Sequence, residues 1–472
     1  MTHDSLVRCE DWVALEMVLE SKSGPLRRPI REPRRGGSET GASPHTGVAP
    51  PVEEHPDRTG LVKHLHASAA PTRQRHHVRS LVDLGLLGFL VALSSLLIFR
   101  YGKLGFHFHD LSIVFDGGYR VFSGQLPFRD FVAPIGPVIF VQQALLFKLF
   151  GVSLNSYLLH AALLNGAAVA LAFALFRKLD RPAAFFAAAV TAFWFFLPPG
   201  APYIDTTALL WSFVGLYLCY TALQGDPSDS GLLAASGASI GLALLTKQNA
   251  GSLALLATAI LLVSSGRQQL RRAALFAVGL GALLALYVVY LLVVDGSSAF
   301  AYFGIRVPLG AGRLGLLLPR FLWPVSNLLK GRPVWSVDTS GWLRDLLLYG
   351  LGMILVGLAY RDRETPKRHL ALLIGLMVWV EYTSFATSSN DWQLYLVFIG
   401  IIVAGIVLIV IDERRVRLAI YAVLLIPLAG LGWKVSATRE VHGIDVSAQT
   451  YVSKTPEFSG LRLTPEEGEA MD

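Results

Sequence analysis

The sequence predicts an all-α polytopic membrane protein with about eleven transmembrane helices and further helices at the membrane surface. Of its 472 residues, 53% are hydrophobic and 16% are charged, and the mean hydropathy is +0.50. Ordinary globular chains carry roughly a quarter charged residues. The apolar residues form long runs separated by short basic clusters, so the net charge of +7 is explained by residues that flank membrane spans. Membrane lipids, and not nucleic acid, are therefore the expected surroundings.

The composition divides the chain into three parts. Residues 1–79 are rich in Pro, Gly, Arg and Ser without periodicity, which predicts a disordered cytoplasmic tail. Residues 80–435 form the predicted transmembrane domain, and residues 436–472 form a C-terminal tail on the far side of the membrane. The first span, 81–99, follows the basic stretch RQRHHVR, which places the N-terminus in the cytoplasm. We expect a multi-pass protein located in a bacterial inner membrane.

Ten further apolar runs predict the remaining spans. Several are shorter than the roughly 20 residues that cross a bilayer, so their boundaries are soft. The runs lie near 154–176, 183–198, 207–223, 231–246, 251–265, 274–294, 346–360, 369–387, 393–411 and 418–433.

One apolar run, PVIFVQQALLFKLF at 137–150, is ambiguous, and the positive charges decide how it is interpreted. If it does not span, four basic clusters fall in the cytoplasm; if it spans, all four lie outside, against the positive-inside rule. We therefore interpret it as an interfacial helix, which its polar residues also suit. The clusters are RKLDR (177–181), RQQLRR (267–272), RDRETPKRH (361–369) and DERRVR (412–417).

This topology places the chemistry on the extracytoplasmic side. The outer side then holds a first loop at 100–153, a long loop at 295–345 and shorter connections, which together carry Asp110, Asp116, Asp130, Asp205, Asp295, Asp338 and Asp391. The long loop also carries several arginines and lysines, which an anionic substrate would attract.

The first outer loop begins with a predicted surface helix. In DLSIVFDGGYRVFSG the apolar residues recur at helical spacing, while Gly117 and Gly118 weaken the helix. Asp110 and Asp116 are six residues apart, about 240° around a helix, so they do not share a face. A turn over GQLPFRD follows. A structured loop whose acids cap helices is the plain alternative to a catalytic segment.

The same residues resemble the first extracytoplasmic loop of the GT-C glycosyltransferases. The likeness rests on an Asp soon after the first span, an aromatic and small-residue helix, G-Q-L-P-F-R-D-F, a Gly-Pro and LFKLFG, and covers about 105–180. It is nearest to bacterial members related to protein O-mannosyltransferases and the lipid A aminoarabinose transferase. The resemblance implies a GT-C-like fold and an inverting transfer of a sugar from a polyprenyl-phosphate carrier to a lipid, glycan or protein acceptor.

The resemblance also implies a general base. The family's leading Asp takes a proton from the acceptor hydroxyl, and its spacing to Gly124 carries that role to Asp110. Many relatives have an acidic residue next and a Tyr shortly beyond, whereas Leu111 follows here and Phe115 takes the aromatic place. Asp116 is therefore the rival base. One base is enough, because a phosphate leaves without protonation, whereas hydrolases need two carboxylates.

Other residues are candidates for the remaining roles. Four basic residues could bind the lipid phosphate: Lys247 in TKQNAG, Arg306, Arg313 and Arg320. The plain alternatives are that the lysine snorkels from a helix end and that the arginines contact lipid headgroups. Asp205 and Glu381 could line the substrate cavity. The plain alternatives are an ordinary loop residue for Asp205 and a helix-packing role for Glu381. His107 and His109, next to Asp110, form a weak pattern for a divalent metal site. The plain alternative is that they are ordinary loop histidines. The sequence indicates no definite cofactor, and a divalent metal remains an open alternative.

Two other functions share part of the pattern. A transporter or flippase of lipid-linked saccharides would show internal repeats and charges midway through the membrane, and neither is evident. A polymerase or ligase of surface polysaccharide would also have many spans and a large basic outer loop. It would not require an Asp after the first span.

Overall fold

The computed structural model describes residues 70–105, 110–195, 200–225, 230–264, 269–306, 350–352, 354–357, 367–387, 397–438 and 446–471. These residues lie in one compact unit, 70–472. It is almost entirely helical. Its α-helices are α1 (Ala70–Tyr101), α2 (Asp110–Phe122), α3 (Val138–Phe150), α4 (Leu154–Arg177), α5 (Arg181–Trp194), α6 (Ile204–Gln224), α7 (Ser230–Leu244), α8 (Gln248–Val263), α9 (Gln269–Val293), α10 (Ser297–Ala299), α11 (Lys367–Thr387), α12 (Ile399–Val410), α13 (Arg414–Thr438) and α14 (Pro465–Met471).

Shorter elements complete the fold. A π-helix, Phe300–Arg306, continues α10, and 3-10 turns lie at Val446–Ala448 and Pro456–Phe458. The strands β1 (Tyr451–Val452) and β2 (Arg462–Leu463) pair antiparallel.

Among the residues that the structure describes, five helices are long and apolar enough to cross a membrane, which agrees with an all-α membrane protein. They are Leu81–Tyr101, Leu154–Arg177, Ile204–Gln224, Gln269–Val293 and Arg414–Val435. Val138–Phe150, Gly231–Leu244, Gln248–Val263 and Ile399–Val410 are apolar but shorter. The total of about eleven spans therefore stays a prediction.

Two ion pairs define one end of the helical bundle, here called the arginine end. Arg181 pairs with Asp83 of α1, and Arg417 Nη2 lies 2.8 Å from Asp180 Oδ2. Arg417 also donates to the carbonyl of Ile411 at 2.9 Å. Two of the basic clusters, RKLDR and DERRVR, therefore meet at the same end of the bundle.

The opposite end, here called the loop end, is where α1 and α13 finish. The indole N–H of Trp433 donates to the hydroxyl of Tyr101. The side-chain amide of Asn249, at the start of α8, donates a hydrogen bond to Thr387, the last residue of α11. The C-terminal end of α11 therefore lies at the loop end, and its basic first turn lies toward the arginine end. The cytoplasmic orientation of that end remains a prediction.

Helix α3 starts and ends at the loop end. Its first residue, Val138, donates to the carbonyl of Leu245 at 3.2 Å, and α4 begins just after it and runs to the arginine end. The interfacial location of α3 stays a prediction.

The helix predicted for DLSIVFDGGYRVFSG is present as α2, and its glycine pair has a packing role. A Cβ on Gly117 would lie 2.4 Å from the ring of Phe140, and one on Gly118 would lie 2.5 Å from Gln143. The two glycines therefore let α3 approach the backbone of α2, which offsets their cost to helix stability.

The chain ends differ from the predicted boundaries. Helix α1 begins at Ala70, ten residues before the predicted start of the transmembrane domain, and the rest of the predicted tail lies outside the described residues. At the other end, residues 446–471 form turns, a hairpin and a short helix, where the sequence predicted only a tail.

Candidate functional site

The turn GQLPFRD of the first outer loop is anchored in the bundle by its aromatic residue. Phe128 has a positive φ of 67° and is buried. It packs with Leu245, Tyr287 and Leu291, and its ring centroid lies 5.3 Å from that of Phe300. The loop is therefore fixed to α9 and to the π-helix instead of lying free on the surface.

Polar contacts stabilise the same turn. The hydroxyl of Tyr290 donates to the carbonyl of Pro127 at 2.8 Å. Asp130 accepts from the Leu126 N–H at 2.7 Å and pairs with Arg129 at 2.8 Å. The Arg129 guanidinium, followed by the Leu126 amide, lowers the pKa of Asp130 below its ordinary value. Asp130 is thus a turn-forming carboxylate.

Backbone contact joins this loop to the turn before α8. Gly136 donates to the carbonyl of Thr246 at 3.2 Å, and a Cβ on Gly136 would lie 1.9 Å from the carbonyl oxygen of Leu245. Only a glycine fits this approach without moving one of the two backbones. The next residue after Thr246 is Lys247.

Lys247 and Asp205, predicted separately from the sequence, form one buried ion pair. Lys247 Nζ lies 2.5 Å from Asp205 Oδ1. The Asp205 side chain is 2% exposed and that of Lys247 is 14% exposed. Asp205 lies in the first turn of α6, where a carboxylate also interacts favourably with the helix dipole.

The TKQNAG turn is tied to α11 by Asn249. Its amide donates to the Ser384 carbonyl at 3.0 Å and to Thr387 Oγ1 at 2.8 Å. One turn earlier on α11, Glu381 is 1% exposed and its Oε1 accepts from the Phe398 N–H at 3.2 Å, where α12 begins. Among the described residues, its Oε2 has no hydrogen-bond partner. Glu381 therefore joins α11 to α12, which is a helix-packing role.

The structure describes the side chain of only one of the two candidate bases. Asp110 is the first residue of α2, and its side chain lies outside the described residues. Asp116 Oδ2 pairs with Arg120 Nε at 2.7 Å, and its side chain is 53% exposed. An exposed i,i+4 ion pair is an ordinary surface feature.

The other candidates are only partly described. Arg306 ends the π-helix that starts against Phe128, and its guanidinium carbon lies 5.9 Å from the ring centroid of Tyr302. Arg313, Arg320, His107 and His109 lie outside the described residues. The part of the chain that the structure describes holds no group of three His, Cys, Asp or Glu residues placed for a metal.

Three contacts of this site were not predicted from the sequence: Phe128 in its pocket, Tyr290 on Pro127, and Asn249 on α11. Only Asn249 had a sequence signal, because it belongs to a polar run, TKQN, between two apolar segments. The aromatic residues are indistinguishable by type from those that pack the bundle.

Part of the described site lies within a segment that is similar to a known family. Residues 133–292 match the family model described as dolichyl-phosphate-mannose-protein mannosyltransferase. The match supports a GT-C mannosyltransferase-like family. It includes Asp205 and Lys247 and excludes Asp110 and Arg306. Neither a curated protein nor a solved structure matches the chain.

The similarity to this family supports a membrane glycosyltransferase that takes its sugar from a lipid-phosphate donor. It also supports a glycan or protein acceptor at the membrane. The mostly helical, apolar fold agrees with a multi-pass membrane enzyme.

Replacing Lys247 with Met should destabilise the protein, because it leaves the buried Asp205 carboxylate without its cation. Removing one partner of a buried pair costs about 3–5 kcal/mol. Thermal unfolding in detergent measures the loss. The double variant Lys247→Met/Asp205→Asn should recover part of it; additive losses would show that the pair is not energetically coupled.

Replacing Gly136 with Ala should lower the unfolding temperature, since the new methyl group meets the Leu245 carbonyl. Overpacking of this kind costs about 1–3 kcal/mol. Gly281→Ala is the matched control, because no atom lies within 4 Å of the Cβ it would add. Equal unfolding temperatures for the two variants would contradict the close approach.

Proposed function

We propose that the protein is an inverting glycosyltransferase that moves a sugar from a polyprenyl-phosphate carrier to an acceptor on the extracytoplasmic side. The observation that carries the proposal is the Lys247–Asp205 pair, which lies at the loop end directly against the first outer loop. The family match covers both residues of the pair. The acceptor is a lipid, a glycan or a protein.

The proposed reaction needs one base and one cation. Asp110 takes the proton of the acceptor hydroxyl, whose oxygen attacks the anomeric carbon. The bond from that carbon to the phosphate oxygen breaks, and the lipid phosphate keeps the electron pair. The attack comes from the face opposite the phosphate, so the anomeric centre inverts.

Lys247 is suited to hold the phosphate. Its ammonium has three N–H donors, and the bond to Asp205 uses one, so the same group can also donate to a phosphate oxygen. Asp205 holds the ammonium group of Lys247 in place through their ion pair. Arg306, Arg313 and Arg320 are proposed as further cations for the phosphate, and Glu381 supports the cavity wall through α12.

The positions of the described ion pairs disfavour the transporter alternative. The pairs of Asp83 and Asp180 lie at the arginine end and that of Asp205 lies at the loop end. A transporter would concentrate such groups midway through the bundle.

Replacing Asp110 with Asn should lower the initial rate of transfer by about 10²–10⁴-fold, the usual contribution of a general base. The assay supplies envelope membranes that contain the protein with polyprenyl-phosphate [³H]mannose and measures label in the acceptor fraction. Asp116→Asn, on the same helix with the same change of charge, is the control and should keep its activity.

Three outcomes separate the alternatives. Loss in Asp116→Asn with activity kept in Asp110→Asn would assign the base to Asp116. Normal activity in both variants would remove the base from α2 altogether. A wild-type protein that transfers no sugar from any polyprenyl-phosphate donor would overturn the proposed function.

A further inference from the structure

The C-terminal segment, residues 446–471, extends its hairpin with the chain that follows α1. The N–H of Arg462 donates to the Lys103 carbonyl at 2.8 Å, and the Gly105 N–H donates to the Arg462 carbonyl at 2.9 Å. Leu104 and Arg462 thereby form a parallel bridge beside β2. The segment thus holds the chain just before α2.

The same segment also contacts α2 itself. The rings of Phe458 and Phe115 lie 5.3 Å apart between centroids. On its other sides Phe115 meets Phe147 of α3 at 5.0 Å and Tyr157 of α4 at 5.5 Å. Phe115 therefore contacts rings from three elements, one of which is the C-terminal segment.

The segment is firmly attached to the bundle. Leu461 and Leu463 are fully buried and belong to the main hydrophobic core. A segment anchored in this way can transmit the rigidity of the core to whatever it contacts.

Helix α2 depends on such contacts for its orientation. It has 13 residues and contains two adjacent glycines, and isolated helices of this length are marginal in water. A catalytic group must be held within about 0.5 Å of its productive position. Tertiary contacts on both sides of Asp110 can supply this precision.

We propose that the C-terminal segment is a positioning element for Asp110, acting through the Phe458 ring and the backbone of Arg462. The inference rests on the proposed function. It predicts that loosening the segment slows the chemical step and leaves donor binding at Lys247 unchanged, because no described contact joins the segment to Lys247.

Five variants of the full chain in lipid nanodiscs test the proposal. Phe458→Ala removes the ring, Phe458→Tyr keeps it, and Glu457→Ala changes the exposed neighbour as a matched control. Arg462→Pro removes the N–H that bonds Lys103, while Arg462→Ala keeps it. Hydrogen exchange over residues 103–105 and 112–122 is measured for each, together with kcat and KM for polyprenyl-phosphate [³H]mannose.

Phe458→Ala and Arg462→Pro should exchange faster in these residues and show a kcat about three- to tenfold lower, the scale of one aromatic contact, with KM unchanged. Phe458→Tyr should restore kcat. Unchanged exchange, or a raised KM at normal kcat, would overturn the positioning role. If the wild type transfers no sugar, the proposed function fails and the catalytic part of this proposal fails with it, whereas the exchange data still decide whether the segment holds α2.

Discussion

The close backbone contact between Gly136 and the Leu245–Thr246 turn is the constraint on which the loop end depends. It joins the first outer loop to the start of α8, and so places Lys247 beside the loop that carries α2. Phe128 reinforces the contact from the other side of the loop through Leu245. The proposed site depends on this approach, because Lys247 belongs to the start of α8 and Asp110 to the first outer loop.

Charge is distributed through the bundle in a way that a low-polarity environment favours. Each buried carboxylate with a described ion pair has an arginine or lysine from another element: Asp83 with Arg181, Asp180 with Arg417, and Asp205 with Lys247. A lone buried charge would be costly, whereas a pair at a helix end costs less and ties two elements together. The two pairs at the arginine end hold α1, α5 and α13, and the pair at the loop end leaves its lysine partly exposed.

The sequence predicted most helices well and the assembly of the site only in part. The run 154–176 became Leu154–Arg177, because Ser153 caps its start and the apolar pattern is continuous. Lys247 and Asp205 were each singled out by residue type, but their pairing was not predicted, since they are distant in the chain and no periodicity links them. The C-terminal hairpin gave no signal, because β2 is two residues long and its stabilising bonds come from Lys103 and Gly105.

The central claim is that the lipid phosphate binds at the loop end. A cryo-electron microscopy structure of the full chain in nanodiscs with undecaprenyl phosphate tests it most directly. The account predicts density for the phosphate within hydrogen-bond distance of Lys247, beside the first outer loop. Phosphate density at the arginine end, beside Arg181 or Arg417, would contradict it.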